Sequence, residues 1–162
     1  MHAVLRALSA LAYGLLAVLG GCSPPVIAPM YGPAPVEHDP SVEITDFTYS
    51  PDGSIHIGES ISFSGKTSQQ INYWDCAFIV TVGSQENPVP GWASGIAEYA
   101  IEPASEEGKS TGRDSLWAGQ MTWYPEYGLG QDLPVSAHLE WSDGYQTEPV
   151  MASPLMVLPA VE

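Results

Sequence analysis

Positive charge is scarce in this chain. Its 162 residues carry four Lys and Arg against 19 Asp and Glu, a formal net charge of -15. Beyond Cys22 the basic residues are Lys66, Lys109 and Arg113, and all the acidic ones lie there too. Such a surface repels nucleic acid, which is excluded as a partner, and anionic lipid head groups. Cysteine is nearly missing as well: Cys22 and Cys76 are the two in the chain. Cys76 has no cationic neighbour in sequence to lower its pKa, so it reads as a small buried hydrophobe and not as a nucleophile. Long apolar runs are lacking. Residues 7–21 are uncharged, but a spanning helix needs about 20 apolar residues, and this run stops at Ser23-Pro24-Pro25, where two prolines end any helix. Beyond Cys22 no 12-residue stretch keeps a 3.6 period free of Gly and Pro, which argues against a helical domain.

What is present at the N-terminus is a basic start, with Arg6 beside His2, and then the apolar run. That is the order of a secretory signal. The run ends in Leu19-Gly20-Gly21-Cys22, an aliphatic residue and two small ones before a cysteine. This tetrad resembles the bacterial lipobox. The resemblance implies a lipoprotein signal peptide over 1–21, recognised through Leu19, Gly20 and Gly21 and cut before Cys22. It further implies that Cys22 carries a diacylglyceryl thioether and anchors the chain to membrane lipid. No intrachain disulfide is then available to Cys76. An ordinary signal cut nearby, leaving Cys22 free, is the alternative. The expected location is extracytoplasmic, lipid-anchored to the cell envelope. Ser23 in place of Asp after the cysteine favours the outer membrane if the host has one. Residues 22–40 hold six prolines and read as an extended tether reaching up to roughly 50 Å.

From Ser41 onward the pattern has period two. Ile61 and Phe63 alternate with serines; Cys76, Phe78, Val80 and Val82 share one face; Val135, Ala137, Leu139 and Trp141 alternate with Ser136, His138, Glu140 and Ser142. Turn signals at Pro51-Asp52-Gly53, Pro90-Gly91, Tyr127-Gly128 and Ser142-Asp143-Gly144 separate the runs. Strands are predicted near 42–48, 54–57, 60–66, 73–82, 95–101, 115–124, 134–142 and 146–158, the last broken by Pro149 or Pro154. One all-β domain over 41–162, a sandwich of about seven to eight strands, is the expectation. The run 57–65, Trp74 and the run 135–144 resemble the second strand, the core Trp and the penultimate hairpin of immunoglobulin-like and PKD-like bacterial modules. The paired cysteines of antibody domains are absent. Residues 84–94 and 103–114 fit this scheme least.

Chemistry-bearing motifs are few. Gly108-Lys109-Ser110-Thr111-Gly112 matches G-x-S-x-G by letter, but its polar flanks support neither the strand nor the helix a nucleophile elbow needs. It also lacks the upstream Gly of a P-loop, Pro103 standing there. A surface turn is expected. His38, His56 and His138 stand apart without ligand spacing, and His138 is placed on the solvent face of its strand. Asp46, Asp52, Glu140 and Asp143 are considered for calcium, but no D-x-D-x-D loop exists. No metal or other cofactor is assigned. Five Trp and eight Tyr leave aromatics as the remaining candidates. Trp74, Trp141 and one of Trp117 or Trp123 are expected in the core. Trp92, Trp123, Tyr124 and Tyr127 are taken as a ligand platform, with Tyr99 as a further surface aromatic. The expected function is a non-enzymatic, membrane-anchored binding or structural module with envelope proteins or glycans as partners. The alternatives are a carbohydrate-binding or adhesive module using the exposed aromatics and, more remotely, a secreted hydrolase.

Overall fold

A computed structural model of the chain describes residues 38–161. The signal, lipobox and most of the tether read from the sequence lie outside the described residues. Among the described residues no helix is long and apolar enough to cross a membrane.

The domain is nearly all β. Its strands are β1 (Ile44–Ser50), β2 (Ser54–His56), β3 (Ser60–Asn72), β4 (Cys76–Val82), β5 (Ala97–Pro103), β6 (Arg113–Thr122), β7 (Gly130–Leu133), β8 (Val135–Trp141), β9 (Val150–Met151) and β10 (Leu155–Leu158). One six-residue helix, α1 (Glu106–Thr111), joins β5 to β6, and a single 3-10 turn (Pro125–Tyr127) follows β6. Seven strands form one sheet in the order β1-β3-β6-β5-β4-β8-β9, and β2-β10-β7 form a second. Within the large sheet β5 changes partner. Its first five residues pair with β4, from Val82↔Ala97 to Phe78↔Ile101, and its last two, Glu102 and Pro103, pair with β6.

That change of partner folds the sheet over, so that β1-β3-β6 faces β5-β4-β8-β9. Rings from the two halves meet: Phe47 on β1 lies 6.3 Å from Phe78 on β4, and Phe78 lies 6.0 Å from Trp117 on β6. The period-two residues supply the interior, as alternation demands: Ile61, Phe63, Phe78, Val80, Val135, Ala137 and Leu139 are buried. Gly65 on β3 makes room for the Phe78 ring, since a Cβ there would overlap it. The second sheet closes one end of the fold with Ile55, Leu133, Leu155 and Val157.

Several expectations change. The strand predicted over 73–82 begins at Cys76, because residues 72–75 form a turn: Asn72 Oδ1 accepts from Trp74 N and Asn72 O from Asp75 N. Trp74 is consequently 76% exposed, not in the core, and both Trp117 and Trp123 are buried. The turn predicted over 108–112 is mostly the end of α1. His138 does lie on the face opposite the core, between buried Ala137 and Leu139, but its side chain is only 14% exposed.

Cys76 is buried at 2% exposure and unpaired. Burial, aided by the neighbouring Asp75 charge, pushes its thiol up to about 12. The thiolate is the reactive form, so a disulfide reagent at pH 8 should leave Cys76 unmodified in the native protein and titrate it fully in denaturant. Fast native labelling would contradict the burial.

Candidate functional site

Two aromatic groups lie at opposite ends of the strands. The N-terminal pole, where the chain enters at His38, carries the turns at 72–75 and 142–145 and helix α1. Ser142 N bonds Asp75 O at 2.9 Å and Tyr73 N bonds Gly112 O at 2.7 Å. His38 stacks on Tyr145 with centroids 3.8 Å apart and meets Asp143 through Nδ1 at 2.8 Å. The distal pole carries the loops at 83–96 and 123–129.

At the distal pole the structure brings Trp92, Trp123, Tyr124 and Tyr127 together. Tyr127 is the hub: Trp92 and Trp123 each lie 5.6 Å from it and Tyr124 lies 5.7 Å away. The loops meet because Gly91 has no Cβ; one there would overlap the backbone of Glu126. Gly91 N instead bonds Tyr127 O at 3.1 Å. Trp123 is a correction to the platform expected from sequence. It is fully buried, its Nε1 donates to Gly128 O at 2.9 Å, and its backbone is held by Gly58 and Glu59. Trp92 and Tyr127 are half-buried, as is Tyr99 over Phe63, which leaves Tyr124 as the exposed ring of the four. The Trp92 Nε1 is buried without a partner among the described residues. This cluster is mainly packing, with one ring edge offered to solvent.

At the N-terminal pole a groove of about 320 Å³ opens where β5 leaves β4 for β6. Its lining is Tyr73, Trp74, Glu102, Pro103 and the stretch from Gly108 to Gly112. Trp74 forms one wall, steadied by the edge of Tyr73 at 5.1 Å and resting on Gly112. That glycine caps α1 with φ 72°, and a Cβ on it would come within 2.9 Å of Trp74 Nε1. Both the αL backbone and the indole therefore require glycine here. The sequence reading missed this site by assigning Trp74 to the core. The signal was present in the Asn and Asp that flank Tyr73-Trp74, which favour a turn.

The opposite wall, α1, is fixed from beneath. Ser105 caps it, accepting from Gly108 N, with Glu106 and Glu107 in the first turn, as the helix dipole favours. Asp114, 5% exposed, accepts from Ser105 N, Ser105 Oγ, Ser115 N and Leu116 N at 2.6–3.0 Å. Burial works against its ionisation, but these hydrogen bonds, that of the Ser105 hydroxyl foremost, outweigh it and hold the carboxyl below its ordinary value. Lys109 Nζ bonds Glu106 at 2.9 Å, and the Ser110 and Thr111 hydroxyls both donate to Glu107 O.

The acidic residues considered for calcium do not gather. Asp143 serves His38 at the N-terminal pole, whereas Asp52 lies in the turn before β2 at the other. Among the described residues no group of three or more His, Cys, Asp or Glu is placed to hold a metal ion. No known family's model matches the chain, and no curated protein matches it.

Trp123→Ala should cost about 3–5 kcal/mol, as buried Trp truncations do, while Tyr124→Ala should stay within about 1 kcal/mol; urea melts of both variants decide it. Asp114 has a lower pKa folded than unfolded, so its charge stabilises the fold above about pH 4 and that contribution is lost as pH falls through the folded value. Asp114→Asn should therefore lower the melting temperature at pH 6, with the gap to wild type narrowing by pH 3.

Proposed function

We propose that this chain is an extracytoplasmic lipoprotein whose β domain is an immunoglobulin-like, non-enzymatic binding module. The observation that carries the anchoring is the position of Leu19-Gly20-Gly21-Cys22, closing an uncharged run and opening a proline-rich one. Acyl chains on Cys22 hold the domain at the bilayer, each buried methylene adding about 0.8 kcal/mol. A domain with 19 acidic residues and three basic ones beyond Cys22 stays soluble beside that surface and avoids nucleic acid.

The strand order supports the immunoglobulin-like assignment. With β1, β3 and β6 as strands A, B and E, and β5, β4, β8 and β9 as C′, C, F and G, the two halves follow the sandwich arrangement. It departs from that pattern in the short sheet β2-β10-β7 and in β5, which serves both halves. Binding, in place of catalysis, is supported by the state of the nucleophile candidates. The Cys76 thiol is buried and kept protonated, and the Ser110 hydroxyl donates to Glu107 O. Partners are envelope proteins or glycans.

Fractionation of cells expressing the full chain and its Cys22→Ala variant tests the anchor. The wild type should sediment with membranes and gain the mass of its acyl chains, and the variant should become soluble. A soluble, unmodified wild type would overturn the reading. Protease shaving of intact cells then separates a surface-displayed domain from one facing the periplasm.

A further inference from the structure

We infer that the groove between Trp74 and α1 binds a neutral pyranose unit of an envelope glycan, with the indole of Trp74 as the stacking surface. The inference rests on the reading of the domain as an envelope-facing binding module and gives that module its ligand class and site. Trp74 presents a large aromatic surface at 76% exposure beside a concavity, and such rings are enriched at interfaces. Trp74 is also not a loose side chain. Its backbone is fixed by Asn72, its ring meets Tyr73 at 69°, and its indole rests on Gly112. A flat apolar surface held in place loses little entropy on binding.

The rest of the lining selects the ligand. Among the described residues no Leu, Ile, Val or Met lines the groove; its apolar surface comes from the rings of Tyr73, Trp74 and Pro103, which suits a flat ligand face better than a branched aliphatic anchor. The rest of the lining beyond Pro103 includes polar residues and both signs of charge: Glu102 and Lys109, with Ser110 and Thr111. Lys109 has donors beyond the one given to Glu106, the Ser110 hydroxyl keeps its lone pairs to accept, and Thr111 Oγ1 keeps one beyond that given to Arg113 N. A sugar matches this lining, with one face of C–H bonds for the indole and a rim of hydroxyls that both donate and accept. Glu102 and Glu106 in and beside the groove oppose an anionic ligand. A volume of about 320 Å³ stands at the small end of ligand sites and suits one or two rings.

The test titrates full-length protein in detergent with neutral trisaccharides of glucose, N-acetylglucosamine, mannose and galactose, read by calorimetry and Trp fluorescence. At least one should bind with a millimolar or tighter dissociation constant. Trp74→Ala should weaken it at least tenfold and Trp74→Phe less. Lys109→Ala should weaken it several-fold, and Tyr124→Ala at the distal pole should leave it unchanged. Trp74 is on the surface, so an unaltered melt of Trp74→Ala separates lost binding from lost fold. No binding of any of the four up to 10 mM, or binding lost in Tyr124→Ala but kept in Trp74→Ala, overturns the inference. Either result leaves the anchor untouched, because membrane sedimentation of the wild type reads that separately.

Discussion

The fold depends on one sheet being bent double, and the bend is enforced by burial around Phe78. That ring, with no exposed surface, lies between Phe47, Trp117 and the bare backbone of Gly65. It therefore touches β1, β3 and β6 from β4, which joins the two halves through side chains as well as through β5. The burial of large aromatics is worth several kcal/mol each, and here it is concentrated where the two halves face. Once β5 must serve both halves, it has to part from β4 beyond Ile101. The groove at the N-terminal pole is the space left by that parting.

Most of the interior was legible in the sequence because period two is a direct image of burial in a strand. The alternating runs on β3, β4 and β8 all point the way their pattern predicts. The break near Pro149 and Pro154 also has its counterpart, since the last run divides into β9 and β10, which join different sheets. Residues 130–133 were less legible: β7 is four residues long, too short for alternation to register. Helix α1 escaped for a similar reason. It is one and a half turns, too brief for a helical period, although its Ser105 cap, acidic first turn and Gly112 stop are standard end signals.

The aromatics were the least legible part, since composition counts rings without saying which way they face. Trp123 and Trp74 exchanged the roles their positions suggested. Trp123 ends a strand beside polar and turn residues, yet a tertiary hydrogen bond to Gly128 O lets its polar edge be buried. Trp74 sits next to a strand of core residues, yet a turn begun by Asn72 rotates it outward. Both outcomes rest on a few specific hydrogen bonds, those to Asn72 and to Gly128 O among them, which a two-residue period does not encode.

The arrangement of the N-terminal pole also has a mechanical side. His38, through which any pull from the preceding chain arrives, is fastened to Asp143 and Tyr145, and the next residue of that turn toward β8, Ser142, is bonded to Asp75 beside Trp74. Tension between the preceding chain and a load held at Trp74 thus crosses one side-chain clasp and one backbone bond. The backbone from His38 through residues 39–43 to β1 is a second, covalent path, which loads the β1-β3 ladder once the clasp opens. The clasp at His38 is the first element to give under strain, ahead of the ladder behind it.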